Sequence, residues 1–331
     1  IRSTAGAILT AVGVISVACY FVMFDLKPKA DRPVMGEEAR GAIEALRDRL
    51  MRHVQVLGGA IGERHLFKPH GLLAAARYIR QVWSAQGFSV SEEAFEVLGR
   101  RCANLIVEQQ GASQPDEIVL VGAHYDSIIG SPGANDNATG VAVLLEMSGI
   151  LRQVAMARTV RFAAFVNEEP PYFHTEEMGS RLHARNARKR GERIVAMLSL
   201  ETLGSYSRSP GSQRYPFPLG AFYPDTGNFL GVVGNLASRR LVSEFLRHFM
   251  GSTDFPVEGA ATFSWIPGVD WSDQWSFWRE GFPAVMLTDT APYRYSEYHT
   301  AQDLPDNVNP PEFARAAYGI IGAVRQLAGL P

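Results

Sequence analysis

Five residues that can bind a metal recur at or near the ends of apolar runs in this chain: His124, Asp136, Glu169, Glu201 and His299. Imidazole and carboxylate donors without thiolates suit a catalytic zinc that keeps one position open for water. His124 closes the run Val119-Leu120-Val121-Gly122-Ala123, and Asp126 follows two residues later. A histidine ligand commonly passes its second ring N–H to a carboxylate, which fixes its tautomer. Alone, His-x-Asp equally describes a hydrogen-bonded loop histidine. Asp136 sits in Gly133-Ala134-Asn135-Asp136-Asn137-Ala138-Thr139-Gly140, ahead of a helical pattern. A carboxylate there caps the helix or bridges two metals. Glu168 and Glu169 follow Phe165-Val166-Asn167. One can hold metal while the other acts as general base on the attacking water. Two solvated loop acids are the plain alternative. Glu201 ends Ser199-Leu200, and His299 lies in Tyr298-His299-Thr300. Each signal is weak singly; the ordered set is not.

Such ligands need a sheet to align them. Leu105–Val107, Ile118–Val121, Val160–Val166, Ile194–Leu200 and Ala284–Leu287 are short apolar runs that predict buried strands. Ile43, Leu46, Leu50 and Val54 recur at helical spacing. Leu72–Gln86, ended by Gly87, is a second helix; Val141–Leu151 and Pro311–Leu327 are others. The alternation predicts an α/β fold with a largely parallel central sheet and ligands gathered at its C-terminal edge. Ser205–Asn228, rich in Gly, Pro, Ser and Tyr, predicts a long loop near the site or a surface insertion. The basic run Arg181–Arg193 reads as a solvated helix face, and His174 as a surface histidine.

A length of 331 residues suggests one large domain or two small ones. A net charge of −2 gives no electrostatic case for nucleic-acid binding. Two cysteines, Cys19 and Cys102, exclude a disulfide scaffold and a Cys-based zinc site. Ala5–Phe24 is 20 residues without a charge, long enough to cross about 30 Å of hydrocarbon. That length favours an uncleaved single-pass anchor over a cleaved signal; a buried soluble helix is the plain alternative. Basic residues flank both sides, so charge does not set orientation. Asp25–Pro33 reads as a polar linker. The expected division is anchor and linker over 1–32 and a catalytic domain over 33–331, the latter extracytoplasmic.

The ordered motifs GAHYDS, GANDNA, NEE with MGS beyond it, SLETLG, and SDQWSFW followed by YHT resemble the co-catalytic di-zinc aminopeptidases of metallopeptidase family twenty-eight. The likeness covers roughly Asn104–Leu327. It implies a three-layer αβα zinc-exopeptidase sandwich acting on peptides with a free N-terminus. His124, Asp136 and Glu201 would hold one zinc, and Asp136, Glu169 and His299 the other. Glu168 would be the general base, Asp126 the support of His124, and Tyr298 a donor to the oxyanion. Three departures stand out: Glu201 where many members have Asp, Gln274 in Ser272-Asp273-Gln274 where His is common, and Pro170-Pro171 in a longer loop before Gly179. Two competing readings are a single-zinc glutaminyl-peptide cyclotransferase and a membrane-tethered binding domain without catalysis. The five ligands oppose the first, and Glu168 opposes the second. Oligomeric state is left open.

Overall fold

The computed structural model describes residues 32–217 and 219–329, together with Met23 and residues 26–28. The apolar run Ala5–Phe24 therefore lies outside the described residues except for Met23. Among the described residues, no helix is long and apolar enough to cross a membrane.

Eight strands form one sheet: β1 (Ser91–Val97), β2 (Arg100–Gln109), β3 (Gln114–His124), β4 (Arg158–Phe165), β5 (Arg193–Glu201), β6 (Leu230–Asn235), β7 (Val257–Thr262) and β8 (Ala284–Thr288). Their order is β1-β2-β4-β3-β5-β8-β6-β7. The four inner strands β4, β3, β5 and β8 are mutually parallel. β2 pairs antiparallel with both β1 and β4, and β6 antiparallel with β8. The sheet is thus mixed: β6 and β7 are parallel to each other but run opposite to the four inner strands.

The αβα layering follows from alternation along β3. Val119, Val121 and Ala123 point to one face, where they join a core with residues of α1 (Glu37–Val54), α2 (Pro69–Ala85), α3 (Gly140–Leu151), α5 (Arg239–Ser252) and α8 (Pro310–Ala328). Ile118 and Leu120 point to the other face, against α4 (Gly179–Lys189) and α6 (Gln274–Arg279). A short helix, α7 (Ala291–Arg294), follows β8 in the chain and precedes α8. α1 buries Leu46, Leu50 and Val54 on one stripe, and its acidic first turn and basic last turn suit the helix dipole. α2 ends before Gly87, whose φ of 85° is easy only for glycine.

Two expectations are corrected here. The described residues of the stretch read as a linker pack on the body. Leu26 is buried in the core, Lys27 pairs with Glu258 at 2.6 Å, and Arg32 donates to the carbonyls of Asp254 and Phe255. The basic run is also more than a solvated face. Arg181 is buried and pairs with Glu176 and Glu280, and Arg185 pairs with Glu176.

Candidate metal centre

β3 lies between β4 and β5, so the direction of strand addition reverses there. Open α/β sheets gather ligands outside such a point. β3 delivers His124, the end of β4 leads to Glu168 and Glu169, and β5 delivers Glu201. Asp136 lies on the loop before α3, where Gly133 takes φ 64° and a Cβ would strike the Asp136 carbonyl at 2.4 Å. Three non-glycine residues beside the ligands also take left-handed backbone: Asn167 (φ 61°), Thr202 (φ 48°) and His299 (φ 60°). Each such residue costs of order 1 kcal/mol or more and persists where surrounding contacts over-determine it. Thr202 shows how: its amide donates to Asn137 Oδ1 at 3.3 Å and its hydroxyl to Asp289 at 2.7 Å.

The structure brings all five expected ligands together. Asp136 Oδ1 is 3.3 Å from His124 Nε2, and Asp136 Oδ2 is 3.1 Å from His299 Nε2. Glu201 Oε2 lies 3.3 Å from His124 Nε2. Glu169 Oε2 lies 3.5 Å from His299 Nε2. The longer Glu201 side chain therefore reaches His124, and Ser272 holds it there with a 2.6 Å hydrogen bond to Oε2. Donor atoms of His124, Asp136 and Glu169 come within 4.8 Å of one another. Both His124 ring nitrogens, His299 Nε2, Asp136 Oδ1 and Glu169 Oε1 are buried without a hydrogen-bond partner. Orphaned donor atoms of this kind, converging in one place, fit a metal.

The electrostatics point the same way. Burial pushes the Glu169 carboxyl well above the usual range, and Asp136 and Glu168 push it further. Burial likewise raises Glu168 and Glu201. Burial opposes the charge of Asp136 as well, but its two histidines outweigh that and hold it below the usual range. Arg64 is the one cation fully buried beside these acids among the described residues. Its guanidinium is spent on the carbonyls of Leu57 and Gly62 and of Tyr125, Pro132 and Gly133, the last three near His124 and Asp136 in the chain. The acids are thus left in need of further positive charge.

The description "Peptidase family M28" matches residues 104–324, about two thirds of the chain. The chain belongs to peptidase family M28. Membership makes it a zinc metallo-exopeptidase. It is 34% identical over 283 residues to the uncharacterized protein YfbL of Escherichia coli K12, an alignment spanning 83% of this chain and 86% of that one. Its fold is similar to Legionella pneumophila LapA aminopeptidase (TM-score 0.64, 16% identity, 93% and 80% of the two chains). It is also similar to Fimbriiglobus ruber glutaminyl cyclase (TM-score 0.60, 19% identity, 90% and 97%). At those identities the two structures attest the fold alone.

Three further placements surround these residues. Asp126 stands 3.6 Å from His124 Nδ1, beyond a hydrogen bond, and instead accepts the backbone amides of Glu168 and Glu169 at 3.2 Å each. Tyr298 stacks on His299 with ring centroids 3.8 Å apart and lines an apolar cavity that opens beside Glu201. Burial keeps its phenol pKa far above 10, so it remains a donor. The cavity lies against β8, β6 and β7 and is walled by Tyr215, Phe229, Met286 and Tyr293. The loop 205–228 supplies part of that wall, which places it beside the site.

Sequence reasoning missed Arg64 and Asp303. Asp303 is fully buried and accepts the backbone amides of Asn135 at 2.7 Å and Asp136 at 3.0 Å. Its position four residues after His299 was the available signal; Arg64 offered none. His174 is not a solvated surface group: it is half-buried, stacked on Phe173 and Trp275, with Nε2 3.0 Å from the Asp270 carbonyl oxygen. Gln274 is buried and donates to the Val269 carbonyl.

Proposed function

We propose that this M28 peptidase is an aminopeptidase that uses two zincs and a glutamate base to hydrolyse the first peptide bond of unblocked peptides. The observation that supports it best is Asp136, whose two carboxylate oxygens each face a different histidine. A shared carboxylate divides the ligands into two sets: His124, Asp136 and Glu201, and Asp136, Glu169 and His299. Zinc held there supplies Lewis acidity toward a carbonyl oxygen and lowers the pKa of water. Glu168 is the base. Its amide is pinned by Asp126, and its Oε2 lies 3.9 Å from His124 Nε2, close to the ligands without being held by them. It accepts the proton of the attacking water and returns it to the leaving amine. Tyr298 donates to the developing oxyanion. The apolar cavity beside Glu201 suits a bulky uncharged side chain on the substrate's first residue.

The test is zinc content measured together with hydrolysis of unblocked and blocked aminoacyl-arylamides. Two zincs and activity on unblocked substrates alone support the reading. One firmly held zinc, with cyclisation of an N-terminal glutaminyl peptide, replaces it with the cyclotransferase. Metal binding without turnover of either substrate replaces it with a binding domain.

The same reading places residues 5–24 across a membrane, with the catalytic domain (33–331) on the extracytoplasmic side. The full chain should then stay in the membrane pellet through a carbonate wash, and protease added from outside should digest it in intact cells stripped of their outer layers.

A further inference from the structure

The apolar cavity beside Glu201 follows one row of residues across the sheet. Glu201 on β5 pairs with Thr288 on β8, Thr288 with Gly231 on β6, and Gly231 with Glu258 on β7. Residues opposite one another in a ladder share a face, so all four point to the same side, and all four line the cavity. Three strand spacings put the Glu258 backbone about 14 Å from that of Glu201. The row thus begins at a metal ligand and ends on the edge strand of the sheet.

Gly231 keeps the middle of the row low. It carries no side chain, and a Cβ there would stand 3.2 Å from Thr290 Cγ2 and 3.3 Å from Thr288 Cγ2. A substrate side chain that leaves the metal centre at the Tyr298 end therefore passes over Gly231 and points at Glu258.

Glu258 differs from the rest of the wall. Apart from the ligand Glu201, it is the one charged residue among the described residues that line the cavity. Its side chain is only 17% exposed. Its charge is felt across the cavity: burial raises the Tyr215 phenol, Arg294 opposes this, and Glu258 raises it again. A carboxylate held against apolar walls needs a partner. Lys27, which is 40% exposed and outside the cavity lining, supplies one, with Nζ 2.6 Å from Oε2 and 2.8 Å from Oε1. Its neighbour Leu26 is buried in the core, and further on Arg32 donates to the carbonyls of Asp254 and Phe255. Lys27 is thus held in place from both sides. One ammonium occupies both oxygens of the acid that a basic substrate side chain would meet at the end of the pocket.

We propose that Lys27 and Glu258 together set the preference of the pocket: Glu258 closes its far end and Lys27 neutralises that carboxylate, so that the enzyme removes uncharged first residues and rejects lysine and arginine. A basic side chain would give up water for a carboxylate already paired, and would meet Lys27 as a like charge. This rests on the reading of the metal centre as that of an aminopeptidase.

The test compares the zinc-loaded full chain with Lys27→Met and with Lys27→Met/Glu258→Gln. Methionine keeps an apolar stem at an exposed position without the charge. The readout is the ratio of kcat/KM for lysyl- over leucyl-arylamide. A cation that bonds to the freed, largely buried carboxylate favours lysine by on the order of 10-fold or more. Lys27→Met should therefore raise the ratio by at least about 10-fold, and adding Glu258→Gln should remove the gain. A ratio that Lys27→Met leaves unchanged, or a gain that survives Glu258→Gln, overturns the proposal. Calorimetric binding of lysinamide and leucinamide to the same three proteins is measured beside turnover. Wild type that turns over neither arylamide sinks the aminopeptidase reading, and the affinities then decide the pocket by the same criterion: lysinamide must gain with Lys27→Met and lose that gain with Glu258→Gln.

Discussion

Asp126 accepts the backbone N–H of Glu169 through Oδ2 at 3.2 Å. Its other oxygen takes the N–H of Glu168, while His124 Nδ1 stands 3.6 Å off. The residue whose spacing suggested a partner for His124 therefore fixes the acid pair. Asp126→Ala removes both acceptors and frees the end of β4 to drift. Outer partners of metal sites typically contribute about 10–100-fold to affinity or activity. We expect kcat/KM to fall within that range while the fold persists. A loss confined to metal affinity, with kcat intact at saturating zinc, would show that Asp126 acts on His124 after all.

Glu168 and Glu169 are neighbours with different tasks. Glu169 lies 3.5 Å from His299 and carries an orphaned oxygen, so Glu169→Gln should weaken metal binding. Glu168 faces the site without a ligand's position. Glu168→Gln keeps the shape of the side chain but cannot take a proton, and such contributions are about 10²–10⁴-fold. Metal content and kcat on both variants decide it. If Glu168→Gln sheds metal while Glu169→Gln keeps it and loses only turnover, the two roles are reversed.

How much of this was legible in sequence depended on side-chain size. The inner strands announce themselves: Ile118–Val121 and Ile194–Leu200 are bulky runs buried on both faces. β6 (LGVVGN) and β7 (VEGAAT) do not, because Gly and Ala are poor strand formers. Their smallness has a physical use, since Gly231, Gly259 and Ala260 line the apolar cavity. His124 and Glu201 were readable because each ends a strand and so stands next to an apolar run, whereas Asp136 and His299 lie on loops and were legible only through their motifs. Arg64 was not, because its five acceptors are main-chain carbonyls, which leave no trace in residue type. The mixed sheet was not readable either: the directions of β2 and β6 are set by pairing with β4 and β8, partners distant in the chain.

Glu93 ties β1 to α4. Burial raises its carboxyl, but hydrogen bonds from His183 at 3.0 Å, Asn186 at 2.8 Å and Asn104 at 3.0 Å outweigh that and bring it down to about 2. A depressed carboxylate stabilises the fold above its unfolded pKa of about 4.5 and loses that stabilisation as pH falls toward about 2. Glu93→Gln should therefore cost about 2–3 kcal/mol at pH 7. The gap between the two proteins should narrow steadily below pH 4.5. Urea unfolding of both, metal-free, at several pH values measures it. A gap that stays constant from neutral pH to pH 3 would remove the linkage.

Asp303 reaches the metal centre only through backbone, and that makes its effect separable from ligation. Its Oδ1 accepts from Asn135 N–H at 2.7 Å and from the Tyr295 hydroxyl at 2.9 Å; its Oδ2 accepts from Asp136 N–H at 3.0 Å. Its own carbonyl accepts from Ala134 N–H at 3.1 Å. Asp303 thus holds three consecutive residues of this loop, Ala134, Asn135 and Asp136. Asp303→Asn keeps the volume but replaces one acceptor oxygen with an NH2 group. One of the two backbone amides then faces a donor. Losing a buried hydrogen bond to a charged group costs about 1.5–3 kcal/mol. Relief of a buried charge offsets part of that, so the net loss of stability should be about 1–2 kcal/mol. Activity should suffer more than stability. Asp136 must present one oxygen to each histidine, and a small tilt of its backbone spoils both contacts at once. The expected outcome is a folded protein whose zinc is stripped by a chelator at least about 10-fold faster, with kcat reduced in parallel. Asp303→Asn with wild-type zinc retention and turnover, despite the lower stability, would show that Asp136 is placed by its own loop and that Asp303 only packs.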